Sequence, residues 1–202
     1  MKRTATKITD RQIKSNLKKW YLNARGIEYV AGMAWYREAQ EFTESVAYLY
    51  KIDPYKVAGV VSALSPNNRW ERNKVDAIAV IKAYIAGTTP EDVKVCTYNA
   101  NKVKAFNILS GSIEITAKSP KTHAFAMNVG LNSPDHITID KWHIRACLTT
   151  PEDGVTDCTE SCTLKQYQRI EALTAQVAHS YGMKGYEFQA QVWLTIKRVW
   201  NR

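Results

Sequence analysis

The sequence lacks the features that mark several large classes of protein. With 9 Gly and 6 Pro in 202 residues, its composition excludes collagen-like and low-complexity chains. No apolar run approaches the roughly 20 residues that span a bilayer, and no apolar segment follows Lys2-Arg3 to complete a secretory signal. We therefore expect no membrane association and a cytoplasmic protein whose 4 cysteines are reduced.

Signals of β structure are also missing, and signals of helix are frequent. No alternating apolar–polar run of useful length appears, and there is no G-x-G-x-x-G loop. Asp53-Pro54 and Ser119-Pro120 are typical of an N-cap followed by proline at the first helical position, and Thr163 with Gln166 forms a capping box. We predict an all-α fold with a short extended stretch at 137–139, a turn at 132–135, a polar loop at 150–162, and helices over 9–24, 31–51, 54–64, 70–86, 89–92, 99–109, 120–130, 140–149, 163–181 and 186–200.

Charge is concentrated near the front of the chain. Lys and Arg total 28 against 19 Asp and Glu, a formal net charge of +9. Eight basic residues and one acid lie within residues 1–25, so this segment holds most of the excess. Such a segment favours a polyanion because neutralising phosphates releases condensed counterions. A solvated helix face is the alternative interpretation.

One stretch places a lysine and an aspartate at the starts of two successive helices. Lys121 follows Ser119-Pro120, and Asp140 follows the apolar residues of 137–139. The positive end of a helix dipole disfavours an ammonium and favours a carboxylate. A neutral amine can form a Schiff base, and a fixed carboxylate can stabilise an oxocarbenium-like cation. The pair suits attack at an anomeric carbon. The alternative is an exposed first-turn lysine and an ordinary N-cap.

Several segments, in order, resemble the helix-hairpin-helix DNA glycosylases of the endonuclease III type. Lys121-Thr122 matches the family's Lys-Thr at a helix start, and Ile139-Asp140 matches its Val-Asp. Arg145 lies five residues beyond Asp140, as the family's Arg lies beyond its Asp. The resemblance extends over about 55 to 195, and compact relatives of this type resemble phage-encoded proteins. The further segments similar to those of the family are 61–67 with Asn73, 98–105 and 189–194.

The resemblance implies a fold and an activity. The fold would be all-α and two-lobed, like that of a helix-hairpin-helix glycosylase, in a single domain spanning 1–202. A helical barrel lobe with the hairpin region would cover 55–135, and 1–54 plus 136–202 would form the second lobe. The activity would be that of a DNA N-glycosylase with AP-lyase chemistry. Lys121 would be the Schiff-base nucleophile, and Asp140 would stabilise the cationic sugar or activate the attacking group.

The resemblance also implies contacts with double-stranded DNA. The turn 65–70 would be the wedge that fills the gap left by a flipped nucleotide, with Asn67 where the family places its inserting Gln. The hairpin region 111–120 would hold a phosphate through backbone amides. Core packing is the alternative interpretation of Trp70. The implied DNA-binding residues are Asn67, Asn68, Arg69, Trp70, Lys118, Thr122, His143 and Arg145.

Two departures from the family pattern keep other functions open. The segment before Lys121 lacks the family's Gly-x-Gly, which lets a backbone approach phosphate closely. Trp142 stands where the family has His, and His143 follows it. The alternatives are a catalytically silent DNA-binding relative and an enzyme that acts on modified bases in a DNA hypermodification pathway. We expect a monomer, located in the host cytoplasm if the protein is phage-encoded.

The cysteines predict no cofactor. Their spacing does not match that of the iron–sulfur cluster carried by many endonuclease III relatives, so we expect no cluster and no other cofactor or metal. A helical i, i+4 pair with two loop cysteines is an alternative zinc set, although a cysteine on an apolar helix is more simply a core residue. That alternative set consists of His143, Cys147, Cys158 and Cys162.

Overall fold

The chain folds as α-helices joined by short connections. The computed structural model describes residues 3–5, 7–131, 133–153 and 156–200. Within these ranges no strand forms, and one isolated bridge pairs Arg3 with Cys158, so the prediction of an all-α fold is confirmed. No described helix is long and apolar enough to cross a membrane. The helices are α1 (Asp10–Leu22), α2 (Gly26–Tyr50), α3 (Pro54–Leu64), α4 (Trp70–Ile85), α5 (Asn99–Ser110), α6 (Pro120–Leu131), α7 (Lys141–Leu148), α8 (Leu164–His179) and α9 (Gly185–Trp200).

Most helices begin within one residue of the predicted start, and α2 is the exception. Asp53 accepts hydrogen bonds from the N–H groups of Tyr55 and Lys56, so α3 begins at Pro54. Helix α2 begins earlier than predicted, at Gly26, because the Glu28 carboxylate accepts from the Arg25 N–H at 2.8 Å. Single 3₁₀ turns stand at Pro90–Asp92, where a short helix was predicted, and at Pro151–Asp153 in the predicted loop. Asn132 of the predicted turn, and Gly154 and Val155 of that loop, lie outside the described residues.

The chain divides into two compact units. Unit 1 comprises Met1–Glu38 and Ser133–Arg202, and unit 2 comprises Ala39–Asn132. The predicted lobes instead divide the chain after residues 54 and 135. The first division differs because the capping signal at Asp53 marks the start of α3 and not a boundary between units. The boundary between the units falls inside α2, a continuous helix of 25 residues.

Helix α3 forms the centre of unit 2. It packs against α4, α5 and α6, and every residue from Val57 to Leu64 is buried. A helix that is apolar on all sides is the kind that other helices surround. Small residues allow the close packing, since a Cβ added at Gly59 would lie 2.9 Å from Ile108 Cγ2. Unit 2 is therefore a helical layer wrapped around α3.

Unit 1 has its own core, built by α1, α7, α8 and α9. The apolar face of α1 is buried through Ile13, Leu17 and Trp20. The Trp20 Nε1 donates to the Thr149 carbonyl at 2.8 Å, which satisfies the indole inside the core. The first part of α2 lies directly against α9, because a Cβ added at Gly32 would lie 2.7 Å from the Gln191 Cα.

Candidate functional site

The packing of α6 on α3 decides what surrounds Lys121. Near the start of α3, Ala58 lies against Gly130, where an added Cβ would be 2.6 Å from the Ala58 Cβ. Near the end of α3, the Ser62 hydroxyl donates to the Thr122 carbonyl at 2.6 Å. The two helices therefore run antiparallel. The turn that follows α3 lies at the same end of unit 2 as the first turn of α6, which carries Lys121.

The turn after α3 has an exposed and ordered tip. Asn67 adopts a left-handed backbone conformation with φ of 55°, which Asn tolerates better than most residues. Its Nδ2 donates to the Tyr98 hydroxyl at 2.6 Å, and the Tyr98 side chain is 61% exposed. The tip thus joins an amide and an aromatic ring from two loops. The sequence analysis predicted Asn67 as a DNA-binding residue but did not predict Tyr98. The sequence shows Tyr98 only as an aromatic residue just before a helix.

A buried carboxylate holds these two loops in place. Asp76 on α4 accepts from Asn68 Nδ2 at 2.9 Å, from Arg72 Nε at 2.8 Å and from the Cys96 N–H at 2.8 Å. Its side chain is 1% exposed. Asn68, a predicted DNA contact, is therefore engaged in positioning the loop. Asp76 was not a predicted residue, although it lies on the buried face of α4 with Asn73 and Ala77.

Three cations near this end of unit 2 are exposed. They are Arg69 at the N-cap of α4, Lys118 in the hairpin, and Lys121. None of the three has an ion-pair partner among the described residues. Trp70, the neighbouring predicted DNA contact, is packed within unit 2. Its ring lies edge-on against the Phe42 ring, with 5.9 Å between the centroids.

Two positions at the end of the segment 111–120 have no amide free for a phosphate. The segment is anchored by the buried Ile115, whose carbonyl accepts from the Tyr55 hydroxyl at 3.3 Å. The Ser119 N–H donates to the Thr116 carbonyl at 3.0 Å, and Pro120 has no N–H to offer. A phosphate contact through these two residues, which the resemblance implied, therefore has no donor here. Amides of residues 114–118 and of the first turn of α6 are the remaining candidates.

Asp140 is the N-cap of α7 in unit 1, and an ordered extended segment leads to it. Its Oδ1 accepts from the His143 N–H at 2.9 Å. Upstream, the Ile137 N–H donates to Glu171 Oε1 at 3.0 Å. The Tyr167 hydroxyl donates to the Ile137 carbonyl at 2.8 Å and accepts from the Ile139 N–H at 3.1 Å. Side chains of α8 thus make the hydrogen bonds that a neighbouring strand would make, and they fix the extended segment that precedes Asp140.

A second polar group of unit 1 lies beside Asp140. The buried Tyr36 hydroxyl donates to Gln189 Oε1 at 3.0 Å and is hydrogen-bonded with the Thr138 side chain. Burial raises the pKa of Tyr36, and the nearby Asp140 charge raises it further. The phenol therefore stays neutral and keeps its proton as a hydrogen-bond donor. Neither Tyr36 nor Tyr167 was a predicted residue.

His143 is a core residue, which corrects its predicted role as a DNA contact. Its ring is fully buried. The Thr174 hydroxyl donates to the Ile170 carbonyl, so it accepts from His143 Nε2 at 2.9 Å. Nδ1 is then unprotonated, and it has no hydrogen-bond partner among the described residues. Burial lowers the pKa of His143 to about 3. A ring that exposes no atom cannot reach DNA.

Arg145 is engaged within unit 1. Its guanidinium lies 4.6 Å from the Trp142 ring and 4.8 Å from the Trp200 ring, and it pairs with Glu160. Cation–π stacking of this kind stabilises the end of the chain against α7. The side chain is 14% exposed, so its predicted contact with DNA would have to compete with these partners.

The alternative zinc set is not assembled. Within the described ranges, no three His, Cys, Asp or Glu side chains are grouped closely enough to hold a metal ion. His143 Nε2 is bonded to Thr174, and burial raises the pKa of Cys147, which favours its neutral thiol. Cys147 is thus a core residue, as in the simpler interpretation.

A family model matches almost the whole described chain. The model of a family described as a family of unknown function, DUF7178, matches residues 1–199. No curated protein and no solved structure matches the chain.

Proposed function

We propose that this chain, which belongs to the family of unknown function DUF7178, is a DNA N-glycosylase with AP-lyase activity. Lys121 is its amine nucleophile and Asp140 its fixed carboxylate. The enzyme acts on double-stranded DNA and takes its target nucleotide out of the stack, because the reacting sugar carbon is inaccessible inside a duplex.

One observation carries the proposal. The antiparallel packing of α3 and α6 brings the exposed Lys121 to the end of unit 2 that carries the Asn67–Tyr98 tip. An ordered tip with an amide and an aromatic ring can enter the space of an extruded nucleotide, where stacking is worth about 1–3 kcal/mol per base. Exposed Arg69 and Lys118 support this assignment, because cations near the tip can meet the phosphates on either side.

The proposed reaction uses the amine of Lys121 and the carboxylate of Asp140. The neutral Lys121 Nζ attacks C1′, the C1′–N bond breaks, and its electron pair leaves with the base, which takes up a proton. The C1′–O4′ bond then breaks, O4′ keeps the electron pair and takes up the second proton of Nζ, and an imine remains between Nζ and C1′. Removal of a C2′ proton expels the 3′ phosphate, and water releases the amine. Asp140 stays ionised and stabilises the cationic sugar in the first step.

Borohydride trapping tests the nucleophile. Duplexes carrying an abasic site, a damaged base or a hypermodified base are incubated with protein and borohydride, which reduces an imine to a stable covalent adduct. We expect an adduct with the unaltered protein and none with Lys121→Ala. Lys82→Ala is the matched control, since it removes another exposed lysine of unit 2 to which no DNA contact is assigned, and it should keep the adduct. An adduct that persists in Lys121→Ala would refute the assignment.

The role of Asp140 is tested by rate. Asp140→Asn keeps a side-chain acceptor for the His143 N–H but removes the charge. We expect base release to fall by about 100-fold or more while duplex affinity changes by less than about twofold.

A silent DNA-binding relative is the second candidate. The occupied Ser119 amide and the missing amide of Pro120 favour it, because they remove donors for a bound phosphate. It predicts salt-sensitive duplex binding, no product from any substrate above, and no effect of Asp140→Asn.

A further inference from the structure

Unit 1 contains a cavity whose lining residues are distant in sequence from Lys121. Most of them belong to the N-terminal part of the chain. Its volume is about 610 Å³, and its walls come from the N-terminal segment, α1 and the segment after α7. This volume is within the range of small-molecule sites, about 300–1,000 Å³. Lys7, Lys19, Arg3 and Asp153 provide the charges of its lining, while Ile8 and Leu148 provide apolar surface.

The N-terminal wall of this cavity is held at both ends. Arg3 makes two hydrogen bonds to the Asp153 carboxylate, at 2.7 and 2.8 Å, and one to the Leu148 carbonyl at 3.1 Å. Farther along, Arg169 donates to the carbonyls of Ala5 at 3.0 Å and Ile8 at 2.7 Å. The wall is therefore in place before any ligand arrives, which lowers the entropic cost of binding.

The cavity lining keeps a net positive charge after its ion pairs are taken into account. Arg3 and Asp153 neutralise each other, and this pairing lowers the pKa of Asp153 to about 2. Lys7 has no ion-pair partner among the described residues. Lys19 approaches only Glu152, at 3.8 Å, and both side chains are more than half exposed, so that pair is weak. Two lysines thus remain to receive an anion.

Neutral donors accompany the two lysines. The Gln12 Oε1 accepts from Thr9 at both its N–H and its hydroxyl, which leaves the Gln12 amide N–H groups as donors. Thr150 also lines the cavity, but its hydroxyl is hydrogen-bonded with the Glu152 and Asp153 carboxylates and is not free for a ligand. Lysine ammonium groups with amide donors form the chemistry that binds phosphate, and the half-buried Ile8 presents apolar surface to the carbon atoms of a sugar or base.

We propose that this cavity binds the phosphate of a nucleotide, with Lys7 and Lys19 pairing with the phosphate oxygens and Gln12 donating to them. The phosphate belongs either to a free mononucleotide or to a nucleic-acid strand. The site does not depend on the glycosylase proposal, since it contains neither Lys121 nor Asp140.

Titration by nuclear magnetic resonance tests the site directly. Thymidine 5′-monophosphate and a short single-stranded oligothymidylate are added separately, and the side-chain amide signals of Gln12 and Asn16 are followed. We expect saturable shifts of these signals with at least one ligand, and a loss of affinity on the order of tenfold in Lys7→Ser/Lys19→Ser, equivalent to about 1.4 kcal/mol. Both lysines are exposed, so the double variant should fold, and an unchanged backbone spectrum verifies this.

A matched variant separates the site from general charge. Lys82→Ser/Lys165→Ser removes two exposed lysines that do not line the cavity and should leave the affinity within about twofold. Saturation by the mononucleotide identifies a free-nucleotide site, and saturation by the strand alone identifies a strand site. The proposal is overturned if neither ligand shifts the Gln12 and Asn16 signals, or if the two double variants lose affinity equally.

Discussion

Lys121 and Asp140 both stand at the start of a helix, but their surroundings differ. Asp140 follows a segment whose backbone is bonded to Tyr167 and Glu171, and its own carboxylate caps α7. Lys121 is exposed, and no carboxylate pairs with it among the described residues. The carboxylate is therefore preorganised by unit 1, whereas the amine of unit 2 is free to adjust to a substrate.

The two units also differ in the hydrogen bonds that hold the backbone near Lys121 and near Asp140. Unit 2 orders the Asn67–Tyr98 tip through one buried charge, Asp76, and one hydroxyl, that of Thr97, which donates to the Pro66 carbonyl at 2.9 Å. Unit 1 orders the approach to Asp140 with neutral hydroxyls and one carboxylate, Glu171, whose pKa is raised by burial. A single charge with several partners is more vulnerable to substitution than a set of separate neutral bonds, because its removal leaves several donors unpaired at once.

The largest effect on stability is expected at Asp76. Asp76→Ala leaves Arg72, Asn68 and the Cys96 N–H without their acceptor, and we expect the free energy of unfolding to fall by about 3 kcal/mol. Chemical denaturation measures it. Glu71→Ala is the control on the same helix, because the Glu71 side chain is 79% exposed, and it should cost less than about 0.5 kcal/mol. Equal losses in the two variants would contradict the central role of Asp76.

A pH dependence is expected from His143. Its pKa in the folded state, about 3, lies below the unfolded value of 6.5, so the unfolded state binds a proton that the folded state does not. Stability is then lost as pH falls below 6.5 and levels off near pH 3. At pH 5 the loss from this residue is about 2 kcal/mol.

Denaturation of His143→Phe across this pH range isolates the contribution. His143→Phe should lose about 2 kcal/mol less stability than the unaltered protein between pH 7 and pH 5, whatever its stability at pH 7. His179→Gln, which removes an exposed histidine, should leave the acid-side slope as it is. A slope that is identical in His143→Phe and the unaltered protein would show that His143 is not buried as described.

A smaller effect is expected at Tyr167. Tyr167→Phe removes the hydroxyl that serves both the Ile137 carbonyl and the Ile139 N–H, at a cost of about 1 to 2 kcal/mol. Hydrogen exchange of the Ile139 amide should accelerate, because its acceptor is lost. Tyr48→Phe is the control, since Tyr48 is 88% exposed. If the Ile139 amide stays protected in Tyr167→Phe, the segment before Asp140 is held by other contacts.

Local chemistry explains which parts of the fold could be predicted. Helix starts at Pro54 and Leu164 follow from caps whose partners lie within three residues, so a short window of sequence contains the whole interaction. The position of Asp140 as an N-cap was predictable for the same reason. The early start of α2 was missed because Gly26 and Ile27 carry no capping signal, and only the Glu28 side chain shows where the helix begins.

Residues that act over long separations could not be predicted. Tyr98 is joined to Asn67, Tyr167 to Ile137, and Arg3 to Asp153 across 31, 30 and 150 positions. His143 was predicted as a DNA contact because it stands three residues after Asp140, one position beyond the place of the family's His, but the helical turn directs it into the core beside Thr174.

By itself, the sequence determined an all-α chain, most of its helix starts, the basic front segment, and an amine and a carboxylate at two helix starts. These depend on side chains and backbone groups a few residues apart. The tertiary structure alone decided that Lys121 shares an end of unit 2 with Asn67 and Tyr98, that His143 is buried, and that Lys7 and Lys19 line one cavity. These facts depend on which helices pack together, and a packed core is chosen by the fit of all its side chains at once.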